Sequence, residues 1–255
     1  MRQFVVRVAL GVAILTFGLG NSPVYAQATD AQLKSQVERK VSDLKLGRSR
    51  VTVMVADHVV TLDGVVPTLW DKMQIIDFAR KLDGIMEVRS RIEIPKAESD
   101  TQLAQEVGKQ IRGYSRFTVF DYVEGNVKNG VLTLTGAVTI SPVAGIVDKV
   151  AQLTERMQKI RGLQDLDNQI RVLPTSPSDD QIRYTIATQI YADPLFRQYS
   201  VSNPPVHVMV ENGKVQLIGI VAQPLERQKA YEIARSAEGV YEVDNKIKTA
   251  AELKR

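Results

Sequence analysis

The chain has no cysteine among its 255 residues, which excludes disulfides, thiolate metal sites, cysteine nucleophiles and a lipid-modified cysteine. Histidine is nearly as scarce, with two, and tryptophan occurs once. A metal site usually gathers three or four ligands at helical or loop spacing. His58 and His207 lie far apart in sequence with no obvious carboxylate or cysteine partner, so no metal is expected. A Gly-rich phosphate loop and a serine nucleophile elbow are also missing. The expectation is a non-enzyme with no catalytic residue and no cofactor.

A strong excess of one charge is lacking too. Lys and Arg number 33 against 29 Asp and Glu, and two of the cations, Arg2 and Arg7, flank an uncharged apolar run from Val8 to Leu19 that ends before the small-residue site Val24-Tyr25-Ala26. This reads as a secretory signal peptide over residues 1–26, cleaved after Ala26. A spanning helix needs roughly 20 apolar residues, and the run is shorter, so an uncleaved anchor is the weaker reading. The mature chain is expected to be exported to the periplasm, without a transmembrane segment, and nearly neutral. A nearly neutral chain carries no nucleic-acid-type field, so no nucleic-acid partner is expected.

What the chain does have is one pattern written three times. A glycine and fixed apolar positions recur at Gly84-Ile85-x-x-Val88-x-x-x-Ile92, Gly162-Leu163-x-x-Leu166-x-x-x-Ile170 and Gly239-Val240-x-x-Val243-x-x-x-Ile247, with Asp-Asn at 167–168 and 244–245. A second block recurs at Val55 to Gly64, Val127 to Gly136 and Val210 to Gly219. Each copy opens with Thr29-Asp30, Ser99-Asp100 or Ser178-Asp179, residues that cap helices, before an apolar stripe every four residues. Alternating strands follow, Val51/Val53/Val55 and Val206/Val208/Val210, with Asn129-Gly130 and Asn212-Gly213 suited to a positive-φ hairpin turn. In copy one the turn is Asp57-His58, less suited to positive φ, and a looser hairpin is expected. Pro67, Pro142 and Pro224 mark entry to a second helix, and Gly84, Gly162 and Gly239 stand as its C-terminal caps.

The order helix, strand, strand, helix, strand predicts an α+β protein of three tandem α-β-β-α-β domains. In each, two helices pack on one face of a three-stranded mixed sheet. The boundaries expected are 29–96, 99–173 and 178–249, joined by a short charged stretch and by Pro174-Thr-Ser-Pro-Ser178, which reads as an extended spacer.

The hairpin pattern Val-x-Asn-Gly-x-Val-x-Leu-x-Gly at 210–219 and 127–136, with Gly-Val-x-x-Val-Asp-Asn-x-Ile at 239–247, resembles the BON domain family of bacterial envelope modules. Copy one departs from it at His58 and at Arg89-Ser90. The resemblance implies a non-catalytic domain that binds phospholipid surfaces or envelope proteins. The KH nucleic-acid clamp is the contrasting small α/β module, but no copy has its Gly-x-x-Gly loop.

The segment between helix one and strand one varies most between copies and is the expected contact surface. It holds Lys45, Arg48 and Arg50 in copy one, Arg112, Tyr114 and Arg116 in copy two, and Phe196, Arg197 and Tyr199 in copy three. Cations beside rings suit an anionic lipid head group; equally, Phe117, Phe120, Phe196 and Tyr199 would close the open end of the core. Trp70 is either an interfacial anchor or a ring packed on the sheet. The partner expected is anionic phospholipid, with a chaperone-like or scaffold role toward other exported proteins as the alternative.

Overall fold

The structure is a computed structural model that describes residues 28–46, 50–97, 99–140, 148–174, 176–199 and 204–254. The expected signal peptide and Pro142 lie outside these residues. Three units follow one another: α1 (Asp30–Asp43), β1 (Val51–Ala56), β2 (Val59–Val65), α2 (Leu69–Arg80) and β3 (Glu87–Glu93); then α3 (Asp100–Arg112), β4 (Tyr122–Lys128), β5 (Val131–Thr139), α4 (Lys149–Gln158), β6 (Asp165–Asn168) and β7 (Arg171–Leu173). The last holds α5 (Pro177–Ala192), β8 (Val206–Glu211), β9 (Lys214–Val221), α6 (Pro224–Ser236) and β10 (Glu242–Thr249). In each sheet the second strand is central, antiparallel to the first and parallel to the closing one.

The aspartate that opens each copy does more than favour a helix start. Asp30 accepts the backbone N–H groups of Asp57 and His58 at 2.9 and 3.1 Å. Asp100 does the same for Asn129 and Gly130 at 2.7 and 2.8 Å, and Asp179 for Asn212 and Gly213 at 2.8 and 2.9 Å. All six turn residues have positive φ, as a two-residue hairpin of the primed type requires. The Asp57-His58 turn is therefore not looser: it has φ of 49° and 61°, and Asp30 compensates for its poorer local preference. Capping falls to Thr29 and Ser99, each directly before its aspartate, and to Ser176, three residues before Asp179.

Other expectations shift by a residue or two. In the third unit the cap is Ser176, with Pro177 at the first helical position, so the expected Ser178 cap and extended spacer give way to an earlier helix. Pro224 opens α6, but Pro67 lies just before Thr68, the cap of α2. Gly84, Gly162 and Gly239 lie beyond the C-caps Lys81, Lys159 and Ala237, and turn the chain into the closing strand with φ of 94°, 88° and 83°. The central-strand glycines Gly64, Gly136 and Gly219 also have positive φ, and any side chain there would collide with the carbonyl of Arg50, Tyr122 or Pro205.

The Asp-Asn motif has a structural role. Asn168 accepts the N–H of Ile170 at 3.0 Å and donates to Thr154 of α4, and Asn245 accepts that of Ile247 at 3.1 Å and donates to the carbonyl of Arg227 in α6. The amide thereby ties the closing strand to the second helix. Ser90 replaces the strand half of this tie, accepting the N–H of Ile92 at 3.3 Å.

The units pack on one another in two ways. The first two share one hydrophobic core, running from Val37, Val53 and Ile75 to Leu103, Leu132 and Leu153. Thr68 bridges to Arg161, and Gln164 donates to the carbonyl of Ile94 at 3.2 Å. The second and third units meet through the outer faces of their sheets, where Ala137, Leu173 and Met209 are buried with Tyr122 and Ile218 against them. Val172 is exposed, and its neighbour Leu173 is buried because the third unit covers that face.

His207 lies in this second interface. Its ring centroid is 5.7 Å from that of Tyr122, and its Nδ1 is buried with no hydrogen-bond partner among the described residues. Beside it Asp121, fully buried, receives Lys149 Nζ at 2.7 Å together with the N–H and hydroxyl of both Thr118 and Thr139. A buried ion pair needs such complete satisfaction to offset its desolvation. Burial pushes the His207 pKa below the ordinary 6.5, opposed in part by hydrogen bonding to the backbone of Asp121 and Thr118 and by the Asp121 charge.

Two measurements test these readings. Asp179→Ala frees two buried or half-buried N–H groups of the turn, and hydrogen bonds to charged groups contribute about 1.5–3 kcal/mol each. Urea unfolding followed by circular dichroism should show a loss of about 3 kcal/mol, with Asp179→Asn intermediate. For His207, the unfolded ring takes up a proton near pH 6.5 while the folded ring resists until a lower pH. Stability should therefore fall as pH drops through 6.5 and level off once the folded ring is protonated. His207→Phe should flatten the melting-temperature profile between about pH 7.5 and 5; an unchanged slope would contradict the assignment.

Candidate functional site

The expected contact segments all leave the C-terminal end of a first helix, opposite the end pinned by the aspartate clamp. This end is built differently in each unit. Lys45 and Arg50 are exposed, beside a depression of about 700 Å³ that Val41, Leu46 and Val51 also line. Arg48 lies outside the described residues. Arg112, Arg116 and Arg197 are exposed.

The rings of these segments are committed to the interior. Tyr114 is 5% exposed, donates to Gln152 Oε1 at 2.8 Å and lies under the Arg156 guanidinium. Burial pushes its pKa up. Phe196 is 1% exposed and packs beside Tyr191 and Tyr199. Tyr199 is half-buried, donates to Glu226 Oε2 at 2.7 Å and accepts the N–H of Ala222. Its pKa is raised by burial and then by Glu226. Trp70 is half-buried in the first turn of α2, with Lys159 Nζ of the second unit 5.0 Å from its ring centroid. The rings close cores and joints, and the cations carry what surface these segments offer.

Those cations have one property in common. Lys45, Arg50, Arg112, Arg116 and Arg197 take part in no ion pair among the described residues, a state they share with other exposed cations such as Lys81, Arg91 and Lys128, whereas Lys34, Arg80, Arg89, Lys109, Lys159 and Lys214 each pair with a carboxylate on their own unit. An unpaired exposed cation is free to meet an external anion without first breaking a contact.

A concavity of about 1340 Å³ lies between the second and third units, and sequence reasoning did not anticipate it. Arg112, Tyr114 and Phe117 of the second unit and Tyr199 of the third line it, and so do Tyr122, Ile218, Ile220, Lys246 and Lys248. Tyr122 donates to Glu124 at 2.9 Å, and burial followed by that carboxylate pushes its pKa up to about 12, so it stays a neutral donor. One sequence signal was available. In copy three the outer face of the second strand carries Ile218 and Ile220, where the other copies have polar Asp63 or Thr135 at the first of these positions.

No group of three or more His, Cys, Asp or Glu that could hold a metal occurs among the described residues. No helix among them is long and apolar enough to cross a membrane.

Comparison with known proteins gives a consistent family and little else. No curated protein matches the chain. Two solved structures of CdsD, a structural protein of the type III secretion system of Chlamydia trachomatis, align at 16% identity. The first, its C-terminal domain, covers 87% of this chain and 99% of its own, with a TM-score of 0.23. The second covers 84% and 92%, with a TM-score of 0.24. Scores at this level define no common overall arrangement. The family model for the BON domain matches residues 29–96 and 178–251, more than half of the chain, and the middle unit repeats their strand order and aspartate clamp. The chain belongs to the BON domain family.

Proposed function

We propose that this is a non-catalytic envelope protein that associates peripherally with anionic phospholipid surfaces in the periplasm, through the cations between the first helix and first strand of each of its three BON-like units. The observation that carries this reading is that Lys45, Arg50, Arg112, Arg116 and Arg197 are all exposed and in no ion pair among the described residues. Family membership supports it, since BON domains are associated with phospholipid. Each Lys or Arg close to an anionic surface contributes about 1 kcal/mol. A single unit should therefore bind weakly.

Tyr114 and Phe196 have a positioning part in this scheme, since their burial fixes the chain that carries Arg116 and Arg197. Trp70 is packed at the joint of the first two units, beside Lys159, and takes no direct part in that surface. The alternative, a chaperone-like scaffold, would act on exported clients without lipid.

The full mature chain should co-sediment with vesicles containing phosphatidylglycerol and not with phosphatidylcholine vesicles at low salt. Binding should fall steeply as salt rises, because the interaction is screened beyond about 10 Å at 0.1 M. Arg112→Glu together with Arg116→Glu should weaken it by about tenfold or more, from the loss of roughly 1 kcal/mol per cation. Equal binding to both vesicle types, or indifference to salt, would overturn the reading.

A further inference from the structure

The surface cations leave the cleft between the second and third units without a role. We propose that this cleft holds one anionic single-chain lipid, of the lysophospholipid class, with its acyl chain laid along β9 and its phosphate against Arg112, Lys246 and Lys248. The choice of ligand class rests on the lipid reading above; the site is a different one that shares only Arg112 among its cations with that surface.

Size is the first argument. At about 1340 Å³ the cleft exceeds the roughly 300–1,000 Å³ of common small-molecule pockets, which favours an elongated ligand over a compact metabolite. The second is the shape of its apolar floor. Ile218 and Ile220 point from the outer face of β9, His207 opposite Ile218 on β8 is already covered by Tyr122 of the second unit, and Ile220 remains 50% exposed. What stays open is an apolar strip one strand wide, about 4.8 Å. It continues to Leu253, 53% exposed, at the chain's end. That width suits one hydrocarbon chain.

Charge is the third argument. Across the parallel register Lys246 stands beside Ile218 and Lys248 beside Ile220, so the apolar strip is bordered along its length by cations. From the opposite wall comes Arg112. Among the described acidic residues only Glu124 lines the cleft, and Lys246 has Asp244 at 3.1 Å while Arg112 and Lys248 are in no ion pair among the described residues. An apolar strip with a cationic border matches a ligand that is apolar along its length and anionic at one end. Neither an uncharged hydrocarbon nor a water-soluble anion uses both.

The test is calorimetric titration of the full mature chain with palmitoyl-lysophosphatidylglycerol below its critical micelle concentration, without vesicles. One ligand per chain is expected. Ile220→Glu, which places a carboxylate on the apolar strip, should weaken binding by about tenfold or more, while Ile220→Leu should bind as the parent does. Thermal unfolding checks that Ile220→Glu remains folded, as expected for a half-exposed position. The zwitterionic choline analogue with the same chain should bind more weakly. No complex, a complex indifferent to Ile220→Glu, or equal binding of an acidic peptide would overturn the proposal. Vesicle co-sedimentation run in parallel separates the two readings. Loss of the soluble complex with vesicle binding intact removes the cleft alone, and the reverse removes the surface reading while the cleft stands.

Discussion

Everything in this molecule is referred to one contact, made three times: a carboxylate at the start of a helix holding both N–H groups of a two-residue turn. A two-residue hairpin with both φ values positive is strained for most residues, and two charge-assisted hydrogen bonds offset that cost. The contact also sets register. With the turn fixed against the helix, strand alternation sends Val53, Val60 and Leu62 inward, and their counterparts Val208, Val215 and Leu217 follow. A slip of one residue would turn every one of them to the other face.

Small units of this size hide too little apolar surface to be robust alone, and here each borrows from a neighbour by a different route. The first two merge their cores, with Trp70 and Lys159 stacked at the joint. The other pair press the backs of their sheets together around Met209 and Leu173. The Asp121–Lys149 pair beside that second joint adds little net stability, because two desolvated charges consume most of what they gain. Its value lies in geometry: only one placement of Thr118, Thr139 and Lys149 satisfies the carboxylate, and that placement holds the segment whose Val119 carbonyl accepts the N–H of Val208 across the joint.

Much of the single unit was legible in the sequence because its determinants are local. Hairpin turns, alternating valines and the apolar stripes of the first helices all declare themselves within a few residues. The Asp57-His58 turn misled because its support, Asp30, comes from 27 residues earlier. The start of α5 slipped because Ser176, two places upstream, caps it in place of Ser178. What was illegible lies between units. His207 occupies an outward position on its own strand and is buried only because another sheet covers it. The same holds for Leu173 and Met209, and for the cleft, whose walls come from different copies. For the expected contact residues, sequence placed the exposed cations but could not separate them from Tyr114 and Phe196, since burial depends on what a loop folds back upon.

The clamp has a consequence for how such a chain can change. It fixes one end of each sandwich, where the turn is held at two residues in every unit. The connection at the far end grows from 44–50 in the first unit to 113–121 in the second and 193–205 in the third. Insertions are therefore channelled to a single pole, and a unit can acquire a new loop, and with it a new preference, while its scaffold stays as it was.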